Sequence, residues 1–210
     1  MAQSIHSSKV DIVLVGGSLL INGLFEKTIE ILKAETQIPV IIFPGNNYQV
    51  SAQADAILLL SLISGRNPEY LIGQQVIAAP MLRQVGIPVI PTGYMLIDGG
   101  RISTTSYITQ SLPIPADKTD IAVATAMAGE MLGLQTIYLE AGSGASRPVP
   151  LEMLQAVKAN VSIPVIVGGG IRTPEQAEAL SLGGASMLVV GNVLEKSPEL
   201  LLELSLAVHG

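Results

Sequence analysis

The sequence predicts an α/β domain, a modified TIM (β/α)8-type barrel with seven recognisable strands, on three observations. Apolar, β-branched runs recur at Val10–Val15, Ile38–Phe43, Ala56–Leu60, Pro88–Pro91, Thr136–Leu139, Pro164–Val167 and Ser186–Val190. These runs are continuous rather than alternating, as strands buried on both faces require. Helix-like stretches lie between most of them, at Leu24–Thr36, Glu69–Val85, Asp120–Leu132, Leu151–Ala159, Pro174–Leu182 and Pro198–Val208. Alternating strand and helix patterns mean βα units around a parallel sheet. No linker or change of composition divides the chain, so one domain over residues 1–210 is expected.

Local chemistry supports each element. Pro174 and Pro198 follow Thr173 and Ser197, which reads as proline at the first helical position behind an N-cap. No convincing helix separates the second and third strands, where Gln49–Leu60 reads as strand, loop and strand. The opening AQSIHSSK reads as the tail of a helix. The helix over Asp120–Leu132 is rich in Ala and Met, which suits packing on the barrel and equally suits a subunit contact in a homo-oligomer.

Composition narrows the class. Hydrophobic residues make up 49% and charged residues 13%, and the mean hydropathy is +0.52. Even so, no run of about 18 uncharged apolar residues exists, so no transmembrane segment is expected. MAQSIHSSK has no apolar core of a signal peptide, and the default expectation is cytoplasmic. Zero cysteines exclude disulfides and thiolate metal sites. A net charge of −6, 3% aromatics and no Trp argue against a nucleic-acid surface.

Chemistry concentrates in Thr136–Arg147, TIYLEAGSGASR. Tyr138 and Glu140 alternate with Ile137 and Leu139, so a phenol and a carboxylate share one face of a short strand. Gly142, Ser143 and Gly144 follow, where backbone N–H groups and a hydroxyl suit an anion. In a parallel barrel the C-terminal strand ends share one face, where substrates bind. Those positions read Gly16-Gly17-Ser18, Pro44-Gly45-Asn46, Ser64-Gly65-Arg66-Asn67, Thr92-Gly93-Tyr94, Glu140 to Arg147, Gly168-Gly169-Gly170 and Gly191-Asn192. Short βα turns favour glycine anyway, but VIVGGGIRTPEQAEAL followed by GASMLVVGN is the pattern of a phosphate site after the last two strands of such a barrel. Four of the five arginines, Arg66, Arg101, Arg147 and Arg172, also fall in predicted post-strand loops, whereas Lys27, Lys33 and Lys158 lie on helices. An arginine fork matches phosphate oxygens.

YLEAGSGA, together with VGGS, FPGN, RNPEYLIG, IPTGYMLIDGG, VGGGIR and VGN in this order, resembles the geranylgeranylglyceryl phosphate synthase family with its bacterial PcrB-type relatives. The match runs from Val10 over nearly the whole chain. The resemblance implies a prenyltransferase that joins sn-glycerol 1-phosphate to a polyprenyl, here geranylgeranyl, diphosphate through an ether bond and releases diphosphate, in ether lipid synthesis. It implies Mg2+ as cofactor and a barrel in which one helix is replaced by an extended segment. By matching position, Tyr138 and Glu140 would contact the glycerol phosphate. Gly142, Ser143, Gly144, Gly169, Gly170, Gly191 and Asn192 would surround its phosphate, and Ser18 would help ligate Mg2+. Tyr70–Ile77 and Thr92–Ile97 are the expected lining of a prenyl groove.

No enzyme nucleophile is needed, and His6 and His209, near the termini, are expected to be inert. The family's first strand ends in an aspartate, and nothing before Val10 matches it; Asp11 is too early in its strand. The expectation is therefore a seam between Val10–Val15 and Ser186–Val190 that is either open or filled by another chain or a lipid-like ligand, with Mg2+ held mainly by substrate oxygens and Ser18 and with reduced activity. Two other readings fit parts of the pattern. A phosphate-binding barrel isomerase or lyase would share GGGIR and the final GN but need an acid–base pair, and a non-catalytic protein would bind glycerol phosphate or prenyl lipid without turnover.

Overall fold

The fold is described from a computed structural model covering residues 8–18 and 23–210. Seven parallel strands form one sheet in sequence order, β1 to β7. They are β1 Val13–Val15, β2 Val40–Ile42, β3 Ala56–Leu62, β4 Val89–Leu96, β5 Thr136–Glu140, β6 Val165–Gly168 and β7 Met187–Val189. Helices α1 Phe25–Glu35, α2 Gln74–Val85, α3 Thr104–Thr109, α4 Thr119–Met131, α5 Leu151–Asn160, α6 Pro174–Leu182, α7 Asn192–Lys196 and α8 Leu200–His209 follow in chain order. This is the expected βα alternation of a TIM-type barrel. The segment 43–55 between β2 and β3 carries no helix, also as expected.

Strand alternation sorts the side chains into two layers. Leu58, Leu62, Tyr94, Leu96, Tyr138 and Ile166 meet inside the barrel. Ile137, Leu139, Val165 and Val167 face outward and pack with Ala122, Ala126, Met153, Leu154 and Val157 of α4 and α5. The small residues of α4 thus pack on the barrel, while Ile121 and Met131 stay exposed. Lys33 of α1 pairs with Asp55 at 2.7 Å, and Asp55 also accepts from the Val40 backbone N–H at 2.7 Å. Both contacts hold the Asp55 carboxyl below its ordinary pKa.

Several expectations need correction. Thr92-Gly93-Tyr94 is not a post-strand loop: β4 runs on to Leu96, pairing Tyr94 with Tyr138. The β-rich IPTGYML simply continues the ladder past Pro91. Pro198 does not open a helix behind Ser197, because α8 begins at Leu200 with Glu199 as its N-cap. By contrast Thr173 caps α6 through its side chain, with Pro174 at the first position. The range Glu69–Val85 is one π-helical turn, Glu69–Gly73, leading into α2. Helices α3 and α7 were not legible, since six and five residues give too little periodicity. His6 and most of AQSIHSSK lie outside the described residues.

Among the described residues β1 and β7 are the sheet edges, which leaves the expected seam. Helix α8 lies against the chain entering β1. Ser205 donates to the Lys9 carbonyl at 3.0 Å, and His209 Nε2 lies 3.0 Å from Asp11 Oδ2. His209 thus ties the last helix to the chain entering β1, a structural contact.

Candidate active site

A cavity of about 1290 Å³ inside the barrel is lined by residues at the C-terminal ends of the strands and also by residues entering β1 and residues of α8, among them Asp11, Leu204 and His209. Tyr138 and Glu140, two apart on β5, both project into the interior, while Ile137 and Leu139 face the helices. Across the ladder Gly168 is in register with Glu140, and Ile166 with Tyr138. A Cβ on Gly168 would lie 2.3 Å from the Tyr138 hydroxyl and 2.9 Å from Glu140 Oε2, so a side chain there would collide with both functional groups. Glycine at this position clears the space over the pair.

The environment sets the protonation of the pair. Glu140 is buried, and Oε1 accepts one hydrogen bond, from the Gly142 N–H at 2.7 Å. Burial outweighs that bond and raises its pKa to about 7. The Tyr138 ring stacks on Phe43 at 5.1 Å and leans against Tyr94 at 5.3 Å. Its hydroxyl is buried without a hydrogen-bond partner. Desolvation first, then the nearby Glu140 charge, push the Tyr138 pKa well above 10; Glu140 contributes through proximity, outside good hydrogen-bond geometry. A buried hydroxyl left unpaired costs stability unless a ligand satisfies it.

The glycine turns converge beside this pair. Ser143 Oγ and the Gly144 N–H both donate to Asn192 Oδ1, at 2.8 and 2.9 Å. Two donors from the loop after β5 thus point at one oxygen from Asn192, the first residue of α7, as they would at a phosphate oxygen. Gly169, at φ 82°, sits where a Cβ would be 2.5 Å from Glu140 Oε1 and 2.7 Å from the Gly142 nitrogen. Gly170 packs as tightly on the Arg147 carbonyl. Both line the cavity, as do Ser143, Gly144, Gly191 and Asn192. Gly142 instead stands behind, its N–H committed to Glu140. Nothing crowds Gly191, so its glycine is not a steric requirement.

Across the cavity lie Ser18, Pro44, Gly45 and Asn46. Ser18 Oγ is 3.4 Å from Thr105 Oγ1 of α3. Among the described residues no three His, Asp or Glu side chains gather as a metal cage. Ser18 offers one neutral oxygen, which by itself is too few donors to hold Mg2+ without oxygens supplied by a substrate. The arginines divide. Arg101 and Arg172 line the cavity, Arg172 also bonding the Ala145 carbonyl. Arg147 is paired with Asp98 at 2.9 Å and Arg66 bonds the Gly65 carbonyl at 2.8 Å, so neither faces the cavity.

The apolar end of the cavity includes Leu59, Leu60, Tyr70, Leu82 and Tyr94. Of the segments expected to line a prenyl groove, Tyr70, Gln74, Gln75 and Tyr94 do so. Two contributors escaped sequence reasoning. Thr105 comes from the short helix α3, and Gln49 from the irregular segment 43–55, where no periodicity marks an inward side chain.

Comparison with known proteins shows the family. A geranylgeranylglyceryl phosphate synthase of Spirosoma linguale is 52% identical over 200 residues, covering 95% of this chain and 80% of that protein. The protein of the same name from Korarchaeum cryptofilum is 41% identical over 201 residues, covering 96% and 82%. The crystal structure of (S)-3-O-geranylgeranylglyceryl phosphate synthase from Thermoplasma acidophilum, in complex with its substrate sn-glycerol-1-phosphate, superposes with a TM-score of 0.93 at 38% identity, covering 99% of this chain and 85% of that one. An N-acetylmannosamine-6-phosphate 2-epimerase from Clostridium perfringens, at 16% identity and a TM-score of 0.56, shares the fold alone. The sequence matches the PcrB family over residues 1–208, and the chain belongs to that family.

Proposed function

We propose that this chain is a prenyltransferase that joins sn-glycerol 1-phosphate to a polyprenyl diphosphate, with geranylgeranyl as the expected chain. The carrying observation is the Tyr138–Glu140 pair placed beside the Ser143, Gly144 and Asn192 cradle, in a cavity that also has apolar walls from Leu59, Leu60 and Leu82. A phosphate in the cradle would replace Asn192 Oδ1 as acceptor for Ser143 and Gly144. The glycerol hydroxyls then reach Glu140, and the unpaired Tyr138 hydroxyl gains a partner. The glycerol oxygen attacks the allylic carbon, the carbon–oxygen bond to diphosphate breaks, and the hydroxyl proton leaves. Glu140, with a pKa of about 7, is poised to take that proton near neutrality.

Mg2+ would enter with the diphosphate substrate, where it would neutralise the departing charge. Ser18 would offer it one oxygen, and Arg101 and Arg172 are cavity-lining cations on hand for the anion. The apolar wall suits the prenyl tail, for which each buried CH2 contributes about 0.8 kcal/mol. Among the described residues no helix is long and apolar enough to cross a membrane. The reading includes a cytoplasmic reaction and a homo-oligomer, the latter supported by exposed Ile121 and Met131 on α4.

Radiolabelled sn-glycerol 1-phosphate incubated with Mg2+ and a series of prenyl diphosphates tests the proposal. The expected outcome is a labelled, solvent-extractable ether with release of diphosphate, made poorly from a very short allylic chain. No ether product with any chain length would overturn it.

A further inference from the structure

We infer that Gln49 is a positioning residue for the diphosphate half of the site. It fixes the turn that carries Ser18, without itself lining the cavity. The inference rests on the proposed prenyl transfer for the identity of the ligand at that turn. Its structural core stands on geometry alone.

The Gln49 side chain is 2% exposed and makes three hydrogen bonds. Oε1 accepts from the Gly17 N–H at 3.2 Å and from the Gly45 N–H at 3.1 Å, while Nε2 donates to the Gly17 carbonyl at 2.8 Å. One planar carboxamide thus holds both backbone groups of Gly17 and clamps the turn after β1 to the turn after β2. Few side chains do this, because the task needs a donor and a two-lone-pair acceptor on one rigid group at this reach. The clamp has a reason to exist. Segment 43–55 has no helix, so its neighbouring backbone groups must find partners outside regular structure.

The two turns also touch through their backbones. A Cβ on Gly16 would lie 1.8 Å from the Phe43 carbonyl oxygen, and one on Gly45 would lie 2.0 Å from the Gly17 oxygen. Neither turn can rotate without moving the other, and Gln49 sets their common position. Ser18 follows Gly17 directly, with its hydroxyl facing Thr105. The Ser143, Gly144 and Asn192 cradle is built from other loops and is independent of the clamp.

The test compares Gln49→Met, which keeps the length and removes the polar atoms, with Ser51→Ala. Ser51 anchors the same segment to Glu26 at 2.7 Å and touches neither turn. For Gln49→Met, KM for the prenyl diphosphate should rise about tenfold or more, while KM for sn-glycerol 1-phosphate stays within about twofold. Amide exchange at Gly17, Ser18 and Gly45 should accelerate about tenfold, with Gly144 and Gly170 unchanged. Ser51→Ala should leave both KM values and those amides as they were.

Equal rises in both KM values, or unchanged exchange at Gly17 and Gly45, would overturn the inference. If Gln49→Met does not fold, Gln49→Glu decides by the same readouts. It keeps the two accepted bonds, loses the donated one, and should show the same split at smaller size. If the wild-type protein makes no ether, the functional reading fails separately. Titration with Mg2+ and inorganic diphosphate then decides: weaker binding by the Gln49 variant supports the clamp, whereas equal binding, or none by the wild type, defeats it.

Discussion

Ser143 and Asn192, 49 residues apart in sequence, meet at 2.8 Å, the hydroxyl donating to the amide oxygen that also receives the Gly144 N–H. On the proposed function, a phosphate oxygen would take the place of this amide oxygen. Ser143→Ala removes one donor to a charged ligand, a loss of about 1.5–3 kcal/mol. KM for sn-glycerol 1-phosphate should rise about tenfold to a hundredfold with KM for the prenyl substrate unchanged, read by steady-state kinetics.

Glu140 gives a pH prediction with a definite sign. Its pKa rises on folding from 4.5 to about 7, so the folded protein favours the protonated acid. That stabilisation is fully present below pH 4.5 and is lost as pH rises through about 7. At pH 8 the buried charge then costs about 3 kcal/mol, which Glu140→Gln removes. The variant should melt at higher temperature than wild type at pH 8, with the difference vanishing near pH 4. Its turnover should fall at least about a hundredfold. Wild-type activity should climb as pH passes about 7, where the carboxylate forms.

Tyr138→Phe separates stability from binding. The native hydroxyl is buried and unpaired, so its removal should leave stability unchanged or raise it by about 1 kcal/mol. Glycerol phosphate affinity should nevertheless drop, measured by calorimetric titration, because the ligand loses its partner.

Gly168→Ala should harm both. The new methyl would sit 2.3 Å from the Tyr138 hydroxyl, and overpacking of this kind costs about 1–3 kcal/mol. Thermal denaturation should show the loss, and activity should fall further than in Tyr138→Phe because Glu140 is displaced as well.

By itself the sequence determined the βα alternation, the missing helix after β2 and the shared face of Tyr138 and Glu140. Each follows from local periodicity: continuous apolar runs mark buried strands, and a period of two puts residues 138 and 140 on one side. It also indicated the glycine turns, since βα loops have a known place on a parallel barrel. Only the tertiary structure decided what those groups meet. That Gly142 serves Glu140 rather than the cavity, that Arg147 and Arg66 are spent on Asp98 and Gly65, and that Gln49 clamps two turns are contacts between distant segments. The near-neutral pKa of Glu140 belongs to the same class, because burial is a property of the packed barrel and no pattern of neighbours along the chain encodes it.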